Sequence, residues 1–324
     1  MPCPTEMRAT LRWLREHNYT APTPVRFAGV DVPQAGGSLL PCLRPLTEFL
    51  TEVDSDALPL LEAAVGIADR IVGASMPQSA PVWARLDTGE QDALTAALAR
   101  LLHRFRALEP HYVANSDQQR YDLALWQLQG ACHTDYHLRA MTDLMAGVGI
   151  PGDTSAREIY MAESVRWHLD HAEPGARIVL AAHNAHVQKT PVCYHGQLTS
   201  LPMGQHLDRM LGADYVALGV TSGAGRTAAL YNDETAPYGF TVRDTALQPP
   251  EPGSIEAVFA AAGRGLSLVN LHQAPRPRPT GQGHAQALPD RIRMDSKYLH
   301  TPVLDAFDGV IHVPTSTVVD DIGL

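Results

Sequence analysis

Apolar residues fall into two patterns along the 324-residue chain. The first half repeats at helical spacing. "TEMRATLRWLREHN" places Met7, Leu11 and Leu14 on one face, and Thr5 can cap it. From Ser38 to His111 the pattern stays helical, broken at "GASMPQSAP". "DTGEQDALTAALARLLHRFRALEP" is rich in Ala and Leu, and Pro110 is expected to stop it. Another long helix is predicted from Ser116 to Met145, with Leu123, Trp126 and Leu138 among its apolar positions. "TSAREIYMAESVRWHLDHAEPG" reads as a helix capped by Asp153, Thr154 or Ser155 and ended by Gly175, with Met161, Val165 and Leu169 on one face.

The second pattern is short apolar runs. "VRFAGVD" reads as a buried strand ending in Asp31, and "RIVLAA", with no polar alternation, as a strand buried on both faces. "MGQHLDRMLG" and "SIEAVFAAAG" are predicted helices. "DYVALGVTSG", "RTAALYND", "YGFTVRD", "LSLVNL" and "FDGVIHVP" are predicted strands, the first two joined by a hairpin turn near Gly223 to Gly225. "APRPRPTGQGHAQALPD" is a Pro- and Gly-rich loop. The expected fold class is α/β: a central mixed sheet layered by helices, with a helical lobe inserted in the first half. One domain is expected over 1–324, with the lobe at about 38–150 and the α/β core at 1–37 and 151–324. No internal repeat stands out.

Composition narrows the function classes. The formal net charge of -10 argues against nucleic acid and anionic membrane surfaces as partners. Four scattered cysteines without a CxxC read as free thiols of a reducing compartment. With no signal-peptide pattern at the start and no run of about 20 apolar residues, a soluble cytoplasmic protein is expected. Fifteen histidines raise the question of metal, but there is no HExxH and no zinc-spaced Cys/His set. No metal or cofactor is expected, and oligomeric state is left open. GxSxG and GK[ST] are missing, so serine-hydrolase and P-loop readings have no motif behind them.

The strongest candidate chemistry is "AAHNAH". Ligands of open α/β sheets bind beyond the carboxyl ends of strands, and His183 sits where "RIVLAA" would emerge, with His186 three residues on. Two imidazoles can divide proton transfer between them, or one can stabilise an oxyanion. Equally, both can be capping or core histidines. Arg157 lies in the first turn of its helix, where a cation is unfavourable; such an Arg often faces a carboxylate or an anionic transition state, although a solvated helix face also accounts for it. Asp31 is either a strand-end ligand or a simple turn-former.

Taken in order, the blocks resemble the erythromycin esterase family. "AREIYMAESVRWHLDHAEPGARIVLAAHNAH" is similar to its Arg-acid helix followed by a strand into His-Asn-x-His. "LRWLREHN" with "VRFAGVD", "LPMGQHLDRMLGADYVALG" and "FDGVIHVP" match further blocks over most of the chain. The resemblance implies metal-independent hydrolysis of an ester or lactone, a macrolide for some members. It implies catalytic roles for His183, His186 and Arg157, and substrate contacts from Asp31, Glu163 and Gly204, in a pocket beneath the helical lobe. Family members also carry an early Gly-Glu-x-x-His-Gly stretch whose His serves as the water-activating base. The only Gly-Glu here, Gly89-Glu90, is followed by "QDAL". The expectation is therefore a hydrolase whose base lies in an N-terminal segment absent from this chain. The alternatives are a non-catalytic binding or degenerate member and a His-based metal hydrolase.

Overall fold

The helical patterning of the first half is realised almost throughout. A computed structural model describes residues 5–194, 197–233, 235–274 and 288–319, so most of the Pro- and Gly-rich loop lies outside the described residues. The helices are α1 (Thr5–Thr20), α2 (Leu40–Val53), α3 (Leu58–Ala68), α4 (Met76–Trp83), α5 (Thr88–Ala107), α6 (Glu109–Asn115), α7 (Gln118–Met145) and α8 (Ala156–Asp170). Two details differ from expectation. The break "GASMPQSAP" itself contains the start of α4, and Pro110 sits in the first turn of α6, where its missing N–H costs nothing. It starts a helix rather than simply ending one. Asp87 and Asp117 cap α5 and α7, accepting from the N–H groups of Glu90 and Arg120.

One compact unit comprises Val30–Ile178 with Glu234–Gly239. Its core is apolar and aromatic: Leu43, Leu46, Leu50, Trp83, Leu94, Leu98 and Leu128 are buried. Phe105 packs edge-on to Tyr112 and stacks on Tyr121 at ring distances of 5.2 and 6.3 Å. Gly130 of α7 allows close approach, because a Cβ there would lie 2.8 Å from Cys42 Sγ and 2.9 Å from the Tyr160 hydroxyl. Asp54 closes the rim by accepting from Arg104 and from the Tyr112 hydroxyl.

The other unit, Met1–Gly29, Val179–Asp233 and Phe240–Leu324, holds the sheets. The four-stranded sheet has the order β4-β3-β8-β5, from β3 (Leu218–Asn232), β4 (Phe240–Ala246), β5 (Ser267–Asn270) and β8 (Gly309–Ser316). It is mixed: β3 runs parallel to β8, while β3–β4 and β5–β8 are antiparallel. Two small hairpins, β1 (Val192–Tyr194) with β2 (Gln197–Ser200) and β6 (Arg291–Met294) with β7 (Lys297–His300), had no signal in the apolar pattern. Short helices α9 (Asn184–Val187), α10 (Met203–Leu211), α11 (Ile255–Ala261) and α12 (Val303–Ala306) complete the unit. The α/β class with a mixed sheet and surrounding helices is therefore observed.

Three local expectations are corrected. "RIVLAA" and "VRFAGVD" are not strands: neither pairs in a sheet among the described residues, Val179 is 96% exposed and Phe27 68%. An apolar run earns burial only where a neighbouring strand or helix face is there to cover it. Helix α1 forms, but its apolar stripe is unburied. The expected hairpin at Gly223–Gly225 is absent, because "LGVTSGAGRTAALYN" is one 15-residue strand. Residues 218–225 pair with β8, and residues 226–232 then pair with β4. The glycines permit the change of partner: Gly225 has φ +102, and a Cβ there would lie 2.1 Å from the Ser316 carbonyl oxygen.

Substituting Gly225→Ala adds both a steric clash and a left-handed φ, so it should destabilise the protein by roughly 2 kcal/mol or more. Gly265→Ala, whose Cβ meets open space, should stay within about 0.5 kcal/mol. Urea denaturation of both variants checks the contrast.

Candidate active site

The His-Asn-Ala-His segment is a tight turn. His183 is extended (φ -63, ψ 149) and caps α9, its ring Nδ1 accepting the Ala185 N–H at 3.2 Å. An Nδ1 that accepts carries no proton, so the neutral ring bears its hydrogen on Nε2. That nitrogen faces Asp295 Oδ1 at 3.5 Å. His186, one turn on, is half-buried, and its N–H bonds to the His183 carbonyl at 2.8 Å.

Asn184, between the two histidines, is 8% exposed and fixes the turn to the sheet. Its Nδ2 donates to the Val220 carbonyl at 2.8 Å, and its Oδ1 accepts the Val220 N–H at 3.0 Å. The side-chain amide thus satisfies both polar groups of one β3 peptide, as a neighbouring strand would. From the other side, Gly204 of α10 packs against the turn so closely that a Cβ would lie 2.1 Å from the Val187 carbonyl oxygen. The Tyr215 hydroxyl donates to that oxygen at 2.6 Å. Beyond the turn, Lys189 reaches Asp208 at 3.0 Å and Asp308 at 2.9 Å. Burial works against its charge, but the two carboxylates prevail and its pKa is raised.

A cavity of about 250 Å³ opens beside His183, lined by Asn184, Thr221, Ser222, Thr227, Arg293 and Asp295 among others. Its floor is polar and buried. Glu256 accepts from the Thr221 hydroxyl and from the Arg293 N–H, while Arg293, 4% exposed, donates to the carbonyls of Ser222 and Gln248. Arg293 Nη1 and Glu256 Oε2 are buried without hydrogen-bond partners.

Arg157, Asp31 and Glu163 belong to the helical unit, whereas His183, His186 and Gly204 belong to the α/β unit. Arg157 donates to both oxygens of Asp31, at 2.8 and 2.6 Å. Burial opposes its charge, the carboxylate outweighs burial, and the net pKa shift is upward. This resolves the unfavourable first-turn cation: it is paired, in fork geometry. The chain between Asp31 and α2 is strained, with Gln34, Ala35 and Gly36 consecutively at φ 51, 49 and 83. Gly37 locks it, its carbonyl accepting from Gly73 N at 2.8 Å and Ser79 Oγ at 2.6 Å. His137 packs on Gly36 and is 5% exposed. Burial first, and then the Arg157 charge, push its pKa down to about 4, while Nδ1 bonds to the Thr154 carbonyl at 3.2 Å. Glu163 is half-exposed, 3.4 Å from His133. Among the described residues no three His, Cys, Asp or Glu side chains converge as metal ligands, and no helix is long and apolar enough to cross a membrane.

A family model described as erythromycin esterase matches residues 4–316. The chain belongs to the erythromycin esterase family. It is 37% identical over 315 residues to an Escherichia coli protein named erythromycin esterase type II, covering 97% of this chain and 74% of that one. Erythromycin esterase type I of Escherichia coli is 28% identical over 312 residues, covering 95% and 73%. A solved mutant of the erythromycin esterase EreC, in its open conformation, superposes with a TM-score of 0.86 at 26% identity, covering 98% of this chain and 75% of that one.

The sequence of this erythromycin esterase family chain did not single out Asn184 as a clamp, nor Arg293 and Asp295 as lining of the cavity beside His183. Asn184 sits inside the motif and could have been found. "RMDSKY", which carries Arg293 and Asp295, has no distinguishing pattern.

Asn184→Asp replaces a donor facing a carbonyl with an acceptor. It should cost about 1–3 kcal/mol, measurable in urea, and should release the His183 turn. The His137 pKa, lower folded than unfolded, sets a second expectation. Stability is fully present above the unfolded value near ~6.5 and falls as pH drops toward the folded value of about 4, a loss on the order of 3 kcal/mol. His137→Gln should flatten that slope in denaturation measured from pH 7 to 4.

Proposed function

We propose that the protein hydrolyses an ester or lactone by direct attack of water, with macrolide lactones as the substrate class and the cytoplasm as the place of action. The observation that carries this reading is the 37% identity to erythromycin esterase type II across 97% of the chain. The geometry at His183 supports it. Its Nε2–H points into a polar cavity, where it can donate to the ester carbonyl oxygen as negative charge develops there. His186 supplies a second imidazole for moving protons. Arg157, held charged and oriented by Asp31, keeps the catalytic role that family membership suggests for it. Glu163 contributes a polar contact to substrate, and Gly204 acts through the packing that sets the histidine turn.

A second reading is a small-molecule-binding protein without turnover, which the polar cavity beside His183 would also serve. The two are separated by incubating the protein with erythromycin and with simple esters and following addition of water by mass spectrometry. Turnover is expected. His183→Ala should lower kcat/KM by about 10²–10⁴, and Arg157→Lys, which loses the bidentate fork, by on the order of tenfold. Binding of erythromycin without any product would favour the second reading.

A further inference from the structure

We propose that His137 is a positioning residue for the reaction, one that keeps Arg157 and Asp31 in their two-bond register by bridging the two segments that carry them. The inference rests on the ester-hydrolase reading above, in which Arg157 has a catalytic role, and it names the group that orients that arginine. The geometry is one of neighbours in sequence. Asp31 leads into the strained turn, and Gly36 of that turn sits between Met76 and His137, with a built Cβ 3.3 Å from Met76 Cβ and 3.4 Å from His137 Cδ2. Arg157 follows the short 3-10 turn Asp153–Ser155, and the carbonyl of Thr154 in that turn takes a hydrogen bond from His137 Nδ1 at 3.2 Å. One imidazole on α7 therefore touches the chain five residues after Asp31 and three residues before Arg157.

The rest of α7 fixes only one side of the pair. The Tyr136 hydroxyl donates to Asp153 Oδ1 at 2.6 Å, and His133 Nδ1 bonds to the Ala156 carbonyl at 2.9 Å. Both hold the start of α8. His137 is the member of this set that also packs on the strained turn. Its ring must carry hydrogen on Nδ1, because a carbonyl can only accept. It is also neutral. Burial first, and then the Arg157 charge, hold its pKa at about 4, against the pull of Asp31 and Glu158. A neutral donor spent on Thr154 leaves both Asp31 oxygens to the guanidinium, which takes them at 2.8 and 2.6 Å. A second cation there would compete for the same carboxylate. Fork geometry fails when either partner shifts by a few tenths of an ångström, so a side chain that sets the spacing of both segments acts on the chemistry without touching substrate.

The test uses the whole chain, with erythromycin and p-nitrophenyl butyrate as probes. His137→Phe keeps a ring against the turn and removes the donor. His137→Gln, whose amide lies where Nε2 does, is the second variant should His137→Phe not fold. Either should lower kcat by about tenfold with KM little changed, the size expected of Arg157→Lys. His137→Asn places an amide N–H where Nδ1–H was and should recover most of that loss. In an Arg157→Lys background, His137→Phe should cost nothing further, because groups that act as a unit are not additive. A readout independent of turnover is the Arg157 Nε–H resonance of 15N-labelled protein, identified by its disappearance in Arg157→Lys. It should be sharp and slow to exchange in wild type and in His137→Asn, and averaged in His137→Phe. Losses that multiply in the double variant would overturn the proposal and make His137 a matter of stability alone. An unchanged Nε–H signal with wild-type kcat in a folded His137→Phe or His137→Gln would overturn it too and leave the esterase reading intact. Wild-type protein inert toward both probes would remove the esterase reading, and the catalytic consequence of His137 with it.

Discussion

The pair of hydrogen bonds between the Asn184 side chain and the Val220 peptide is the constraint on which the position of the His183 turn depends. An amide can act as donor and acceptor at once, so it replaces a missing strand at that point of β3. Once the turn is attached there, the rest follows locally. The His183 ring caps α9 and so fixes its own tautomer, and the exposed nitrogen is the one that carries hydrogen. The turn is also trapped from behind by Gly204, the Tyr215 hydroxyl and Lys189. Few of these contacts are apolar. They are directional, and directional bonds hold an imidazole to within the few tenths of an ångström that chemistry requires.

The helical unit solves a different problem. Its apolar core is dense enough to tolerate a costly feature, the run of three left-handed residues after Asp31. Strain of that kind survives only where surrounding bonds over-determine it. Here the Gly37 carbonyl takes two hydrogen bonds while Asp31 grips Arg157 with both oxygens. The strained turn, the ion pair and the neutral His137 form one assembly, in which a half-buried guanidinium keeps its charge and a neighbouring imidazole surrenders its own.

How legible this was depended on what kind of information each feature uses. Helices α5, α7 and α8 were readable because helical periodicity is local. The pairing of Arg157 was half-readable: a carboxylate was one of the accounts of its awkward place in the helix dipole, and Asp31 was flagged separately, but the two are 126 positions apart in the sequence. The strand assignments for "RIVLAA" and "VRFAGVD" failed because hydrophobicity records a tendency to be covered, not whether a cover is present. Continuity of β3 through Gly223 and Gly225 failed for a related reason. A glycine pair marks a change in backbone demand, and only the partner strands decide between a reversal and a bend. Asp295 left no trace, since a carboxylate at a hairpin tip is an ordinary surface residue until the fold brings an imidazole to it.

The contact between Gly204 and the Val187 carbonyl also restricts how the sequence can drift. Any side chain at position 204 would have to push α10 or the His-Asn-Ala-His turn aside, so a chain that acquires one there has already given up this arrangement of histidines. A glycine one residue into a helix some twenty positions beyond a His-Asn-x-His is therefore a marker for sorting related sequences. It separates chains that can still present both imidazoles from chains that merely retain the letters.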